Sequence, residues 1–115
     1  MTKDLIYLEL MAESIDTIFN YIGNKNEDEF YRDATLKDAC LMRLIVIGEY
    51  GIKISDILKR DFTEIEWQVL KAARNFYVHV YDAIDWSKIW NTIQDELPSL
   101  KPKIEHIIYT LQHKL

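Results

Sequence analysis

The sequence has a single cysteine, Cys40, among 115 residues. One thiol cannot close an internal disulfide, and it cannot build a multi-cysteine zinc or iron–sulfur site. Glycine and proline are also scarce, with three and two residues. A small β-sandwich or barrel needs many tight turns, so this scarcity argues for helices. Long apolar runs are missing. The run at residues 44–47 is far shorter than the ~20 residues that a membrane-spanning helix needs. Near the start of the chain Asp4, Glu9 and Glu13 interrupt any signal-like apolar core, which points to a cytoplasmic protein with no membrane partner. Positive charge is in deficit: 14 Lys and Arg stand against 19 Asp and Glu, a net charge of −5. Whole-chain electrostatics therefore repel a polyanion, and any nucleic acid must be met by a local basic site or with a partner's help.

What is present is a globular composition, 49% hydrophobic and 29% charged. A chain of this length supports one core, so residues 1–115 read as a single domain. Its organisation is a series of amphipathic helices. The first spans residues 3–22, where Leu5, Leu8, Met11, Ile15, Ile18 and Ile22 recur at three and four, and Gly23 is placed to stop it. Residues 27–33 read as an acidic connector, either a solvated face or a contact for a basic partner. A second helix opens near Asp33 or Thr35 and carries Leu36, Cys40, Leu44 and Ile47, with Leu41, Ile45 and Gly48 as a second row. It therefore looks central, and Gly48 lets another helix approach closely, while Gly51 marks a bend or an end. Residues 52–60 continue it or form a short separate turn. Thr63 to Glu66 fit a capping box that would open a third helix bearing Val69, Ala73, Phe76 and Val80. Asp85 can cap a fourth helix with Ile89, Ile93 and Leu97, and Pro98 suits the first turn of a fifth,. The predicted fold is an all-α bundle of four to five helices.

The segment richest in chemistry is residues 71–81, Lys-Ala-Ala-Arg-Asn-Phe-Tyr-Val-His-Val-Tyr, which contains no acid. It is a basic, aromatic island in an acidic protein. Asn75 and His79 are four apart and share a helical face; Arg74 and Tyr81 are seven apart and share another. Arg74 and His79 are five apart, roughly 140° around an ideal helix axis. One straight helix does not aim both at one point, so either the helix is distorted or the groups meet across an interface. The bland alternative is a solvated Arg and His on a surface helix, with Phe76, Tyr77 and Val80 in the core and Tyr81 packing near a helix end.

Residues 74–81 match the Arg-x4-His-x-Tyr motif, and the chain resembles HEPN-domain proteins of the HepT type along nearly its whole length. Ile47-Gly48-Glu49 resembles that family's Ile-Gly-Glu, Trp67 stands where it places a Trp, and residues 89–93 and 95–98 resemble its closing segments. Glu66, where many relatives have Pro, and Tyr50-Gly51 depart from the pattern. The resemblance implies the toxin of a type VII toxin–antitoxin system: a homodimeric, metal-independent endoribonuclease with no cofactor. It implies a cognate minimal nucleotidyltransferase antitoxin of the MntA type, which blocks the toxin by AMPylation of the motif tyrosine. By position, Arg74 and His79 are the implied catalytic pair, Asn75 their supporting residue and Tyr81 the modification site. The rival is a non-catalytic HEPN binding module that holds a nucleotidyltransferase or a nucleotide.

The remaining candidates read as structural. His106 and His113 are two turns apart on the last helix, about 10.5 Å of rise, too far for one metal ion. Cys40 reads as an inert buried thiol. Arg43 is left between pairing with Glu13, Asp16 or Glu49 and pointing into a dimer cleft. Trp67, Trp86 and Trp90 read as packing residues, one of them a candidate for the dimer surface.

Overall fold

Leu8, Met11, Ile15, Ile18 and Ile22 lie on one stripe and are at most 4% exposed, so burial of that stripe fixes helix α1 (Thr2–Ile22),. The computed structural model describes residues 2–79 and 81–114, with the side chains of Thr2 and Tyr81 outside that description. Gly23 ends α1 at φ +53°, a left-handed conformation that a Cβ would strain.

The acidic stretch that follows is not a connector. Residues Glu27–Arg32 form a short helix, α2. The Asn26 side chain accepts from the Glu29 N–H, and the Glu29 carboxylate accepts from the Asn26 N–H, both at 2.9 Å. This capping box, three acids in the first turn and a fully buried Phe30 outweigh its shortness,. Asp33 then caps α3 (Ala34–Lys53) by accepting from the Leu36 N–H at 3.0 Å. Gly51 does not end α3, which runs on to Lys53; it is buried in the last turns, against Leu70 and Met11. Ser55 caps the separate helix α4 (Asp56–Asp61).

The α1 N-terminus and the start of α4 are joined by Asp4, which is 3% exposed. Its carboxylate accepts from the Ser55 N–H at 2.9 Å and from the Ser55 hydroxyl at 2.6 Å. Asp4→Ala strands the Ser55 donors and is expected to cost about 1–3 kcal/mol. Urea denaturation of both proteins checks this; an unchanged midpoint would rule it out.

Helix α5 (Trp67–His79) is followed by a 3₁₀ turn at Tyr81–Ala83 and by α6 (Trp86–Asn91), capped by Asp85 as expected. The expected fourth and fifth helices are one continuous run. A π-helical turn, Thr92–Glu96, joins α6 to α7 (Leu97–Gln112). Pro98 lacks the N–H that would close an α-turn onto residue 94, and the Leu97 N–H reaches back to the Thr92 carbonyl instead,. Among the described residues there is no strand, and no helix is long and apolar enough to cross a membrane.

Helix α3 is central, packed against α1, α2 and α5, while α7 packs on α1. The molecule measures 49 × 29 × 19 Å, and its thin dimension holds about two helix diameters. Helix α5 packs chiefly on α3 and leaves an outer face, with Val69, Phe76 and Val78, exposed.

Candidate active site

Trp67 fixes where α5 begins. It is 9% exposed, and its indole N–H donates to the Phe62 carbonyl at 3.0 Å. Ile65, 2% exposed, is buried beside it. Residues two apart point to nearly opposite sides of a helix, so burying both requires a non-helical step between them. The capping box expected at Thr63 and Glu66 therefore does not form. Residues 63–66 make a turn, and the Glu66 carbonyl receives the first helical bonds from the Val69 and Leu70 N–H groups.

From that start α5 runs unbroken to His79. It buries a narrower face than its apolar residues suggest. Leu70 and Tyr77 pack on the core, whereas Val69 and Phe76 are 51% and 48% exposed and Val78 is 40% exposed. The expectation that Phe76 lies in the core is corrected here; the other default core residue, Val80, lies outside the described residues. The face turned to α3 carries Arg74 instead.

Arg74 meets α3 at Gly48. A Cβ built on Gly48 would sit 2.5 Å from the Arg74 Cβ and 3.2 Å from the Leu70 carbonyl oxygen. The close approach read from Gly48 is thus made by the motif arginine. The next residue, Glu49, accepts a hydrogen bond from Arg74 Nε, and the Asn75 side-chain oxygen accepts from Arg74 Nη1 at 2.7 Å. The Arg74 and Glu49 side chains are 29% and 38% exposed, a half-buried ion pair.

His79 is the last residue of α5 and is exposed; its ring forms no hydrogen bond among the described residues. Since the helix is regular to this point, the roughly 140° between Arg74 and His79 stands. Asn75 turns to Arg74 rather than to His79 four residues on. Tyr81 opens the 3₁₀ turn after α5; its side chain, and with it the face it is expected to share with Arg74, lies outside the described residues.

On the other flank of α5 is a cavity of about 340 Å³, lined by Leu44, Ile47, Leu70, Tyr77, Thr92 and Leu97 among others. Burial pushes the Tyr77 hydroxyl above its ordinary pKa, and the nearby Glu96 carboxylate acts in the same direction.

Other candidates resolve into structure. Cys40 is fully buried, and burial pushes its thiol up to about 11, so it stays protonated and unreactive at neutral pH. Among the described residues Arg43 forms no ion pair: Glu49 is taken by Arg74, and Asp16 by Lys101 at 2.6 Å. His113 stacks on Tyr109 with ring centroids 4.0 Å apart, and His106 meets the Phe62 ring edge-on. Trp86 and Trp90 pack around Phe30.

The residue that sequence reasoning missed is Glu49. It was visible in the Ile-Gly-Glu match and as one possible partner of Arg43, but nothing in the sequence joined it to a helix 25 residues away.

A helical bundle that presents Arg-x4-His on one helix, with the motif tyrosine in the turn that follows, is of the HEPN class. The chain belongs to the HepT-like ribonuclease family: residues 11–107 match the family described as "Ribonuclease HepT-like". It is 32% identical over 101 residues to the Thermococcus cleftensis protein named "Probable ribonuclease HepT", covering 88% of this chain and 92% of that one. It is 30% identical over 108 residues to "Putative RNase MJ1216" of Methanocaldococcus jannaschii, covering 94% and 89%. A third relative, "Gamma-glutamylcyclotransferase and putative RNase MJ0434" from the same organism, is 30% identical over 112 residues. There the match covers 96% of this chain but only 50% of the relative, so the chain spans about half of that longer protein. No solved structure matches the chain significantly.

Proposed function

We propose that this protein is a metal-independent endoribonuclease that cuts RNA in a cleft between two copies of itself. It would serve in the cytoplasm as the toxin of a type VII toxin–antitoxin pair. The observation that carries the reading is the arrangement on α5 of a guanidinium held from two sides and a freely exposed imidazole. RNA supplies its own nucleophile. A base takes the 2′-hydroxyl proton, the oxygen attacks the adjacent phosphorus, and the 5′-oxygen of the next nucleotide leaves with a proton from an acid. The products are a 2′,3′-cyclic phosphate and a 5′-hydroxyl. His79 carries the side-chain type that exchanges protons near neutral pH. Arg74 supplies the positive charge that the phosphorane needs.

Two proton transfers and one motif histidine per chain favour a two-fold pair of chains with two His79 and two Arg74 in one cleft. The dimer also removes the angular problem, because His79 of one copy can face Arg74 of the other. Exposed Val69, Phe76 and Val78 on α5 give such a contact apolar surface to bury,. The antitoxin would be a minimal nucleotidyltransferase that joins the Tyr81 oxygen to the α-phosphorus of ATP and releases pyrophosphate. The added phosphate carries negative charge into a cleft that binds phosphate through arginine.

The rival, a non-catalytic HEPN module holding a nucleotidyltransferase or a nucleotide, draws on the net charge of −5 and on the pairing of Arg74 with Glu49. The deciding experiment is cleavage of total cellular RNA in EDTA by purified protein whose Tyr81 is shown unmodified by mass. Fragments ending in cyclic phosphate are the expected result. No cleavage from a folded dimer would select the binding module. In the presence of ATP and the antitoxin, Tyr81→Phe should cut RNA where the wild type is silenced.

A further inference from the structure

We propose that Glu49 is a positioning residue for Arg74, and that with Asn75 it leaves the guanidinium one free edge on which a phosphate can be gripped. The kinetic consequence rests on the ribonuclease reading; the geometric one does not.

A guanidinium carries five N–H donors in a fixed plane. Glu49 takes the Nε–H, and Asn75 takes one of the two on Nη1. Three remain, one on Nη1 and two on Nη2. Two parallel bonds to a phosphate need neighbouring donors, offered either by the Nε–Nη2 edge or by the Nη1–Nη2 edge. Glu49 occupies the first edge at Nε, so a two-point grip falls to the second, where Nη2 keeps both donors and Nη1 keeps the one that Asn75 does not take. The backbone contributes as well. Gly48 brings α3 against the Arg74 Cβ, and the very next residue carries the carboxylate. The root and the head of the arginine are thus both held by one dipeptide of α3. A long side chain ordered before RNA arrives loses less freedom when it binds.

Glu49 has a second conceivable effect, cancelling the charge that attracts RNA. At 29% and 38% side-chain exposure the pair is reached by water and salt, which weakens the charge contribution and leaves the geometry. The two effects predict opposite outcomes. Loss of a brace slows cleavage, whereas loss of a mask tightens RNA binding.

The test combines kinetics with the ¹H–¹⁵N resonance of Arg74 Nε, assigned by its absence in Arg74→Lys. Wild type should show a slowly exchanging Nε–H. Glu49→Ala should lose it and lower kcat about 10- to 100-fold, with melting temperature and dimer intact. Glu49→Gln, which keeps an oxygen toward Nε, should recover most of both. Glu49→Asp, one methylene shorter, should behave like Glu49→Ala and serves if that variant does not fold. An Nε–H signal and a kcat that survive Glu49→Ala would overturn the proposal. So would tighter RNA binding by both Glu49→Ala and Glu49→Gln with the signal unchanged. If the signal is lost in Glu49→Ala while unmodified wild type cuts no RNA, the positioning stands and the ribonuclease reading fails.

Discussion

Replacing His79 with alanine is expected to lower RNA cleavage by about 10²- to 10⁴-fold, the range that one positioned acid–base group supplies. The fold should be untouched. His79 is exposed at the last residue of α5 and makes no side-chain hydrogen bond among the described residues, so the substitution opens no cavity and strands no donor. Rate and stability are therefore separable at this position. The check is kcat on a defined RNA in EDTA, with a thermal melt and a sedimentation profile of the same sample. A folded His79→Ala dimer that cleaves like wild type would remove the imidazole from the mechanism. A mixing experiment adds the dimer to the same test. His79→Ala and Arg74→Ala chains, each inactive alone, should regain part of the activity when exchanged into mixed dimers: one intact His79 and one intact Arg74 then face each other across the cleft, while the second proton transfer lacks its own imidazole and stays slow. If both groups act within one chain, no activity returns.

Local signals were the legible part of this molecule. The α1 stripe, Gly23 as its stop, Asp33 and Asp85 as caps and Pro98 in a first turn all stand as read, because each depends on residues within one or two turns. The misreadings share a cause: tertiary burial overrode a local pattern. Residues 27–33 looked like a solvated acidic run, yet the buried Phe30 turns them into a helix. Thr63 and Glu66 have capping-box spacing, yet burial of Ile65 and Trp67 delays the helix to residue 67. Phe76 looked like core, yet α5 rolls so that Arg74 faces α3 and Phe76 faces out. The candidate site was legible as residue types, and the resemblance implies Arg74 and His79 as its pair. What a sequence cannot carry is the pairing of Glu49 with Arg74, since a contact between two helices depends on their roll and register.

Glycine-to-alanine substitutions in α3 should give opposite results one turn apart. In a helix interior the change alone stabilises by about 0.5–1 kcal/mol, through the lower backbone entropy of the unfolded alanine chain. At Gly51 the nearest atom to a new Cβ is the Leu70 Cδ1 at 3.3 Å, the far end of a side chain that can rotate away. Gly51→Ala should be neutral or slightly stabilising. At Gly48 the new Cβ would sit 2.5 Å from the Arg74 Cβ and 3.2 Å from the Leu70 carbonyl oxygen, where contacting carbons prefer about 3.5–4.0 Å. Neither a Cβ nor a backbone carbonyl can swing aside, so α5 must move off α3. Overpacking of this kind costs about 1–3 kcal/mol, more than the helical preference returns. Each net kcal/mol should appear as a fall in Tm of about 4–8 °C. Activity should fall further than stability, because the displacement is centred on Arg74 and pulls its guanidinium from Glu49. Paired thermal melts and cleavage assays of the two variants read both effects. Equal stability of Gly48→Ala and Gly51→Ala would mean that α3 and α5 do not approach at Gly48 as closely as the arginine brace requires.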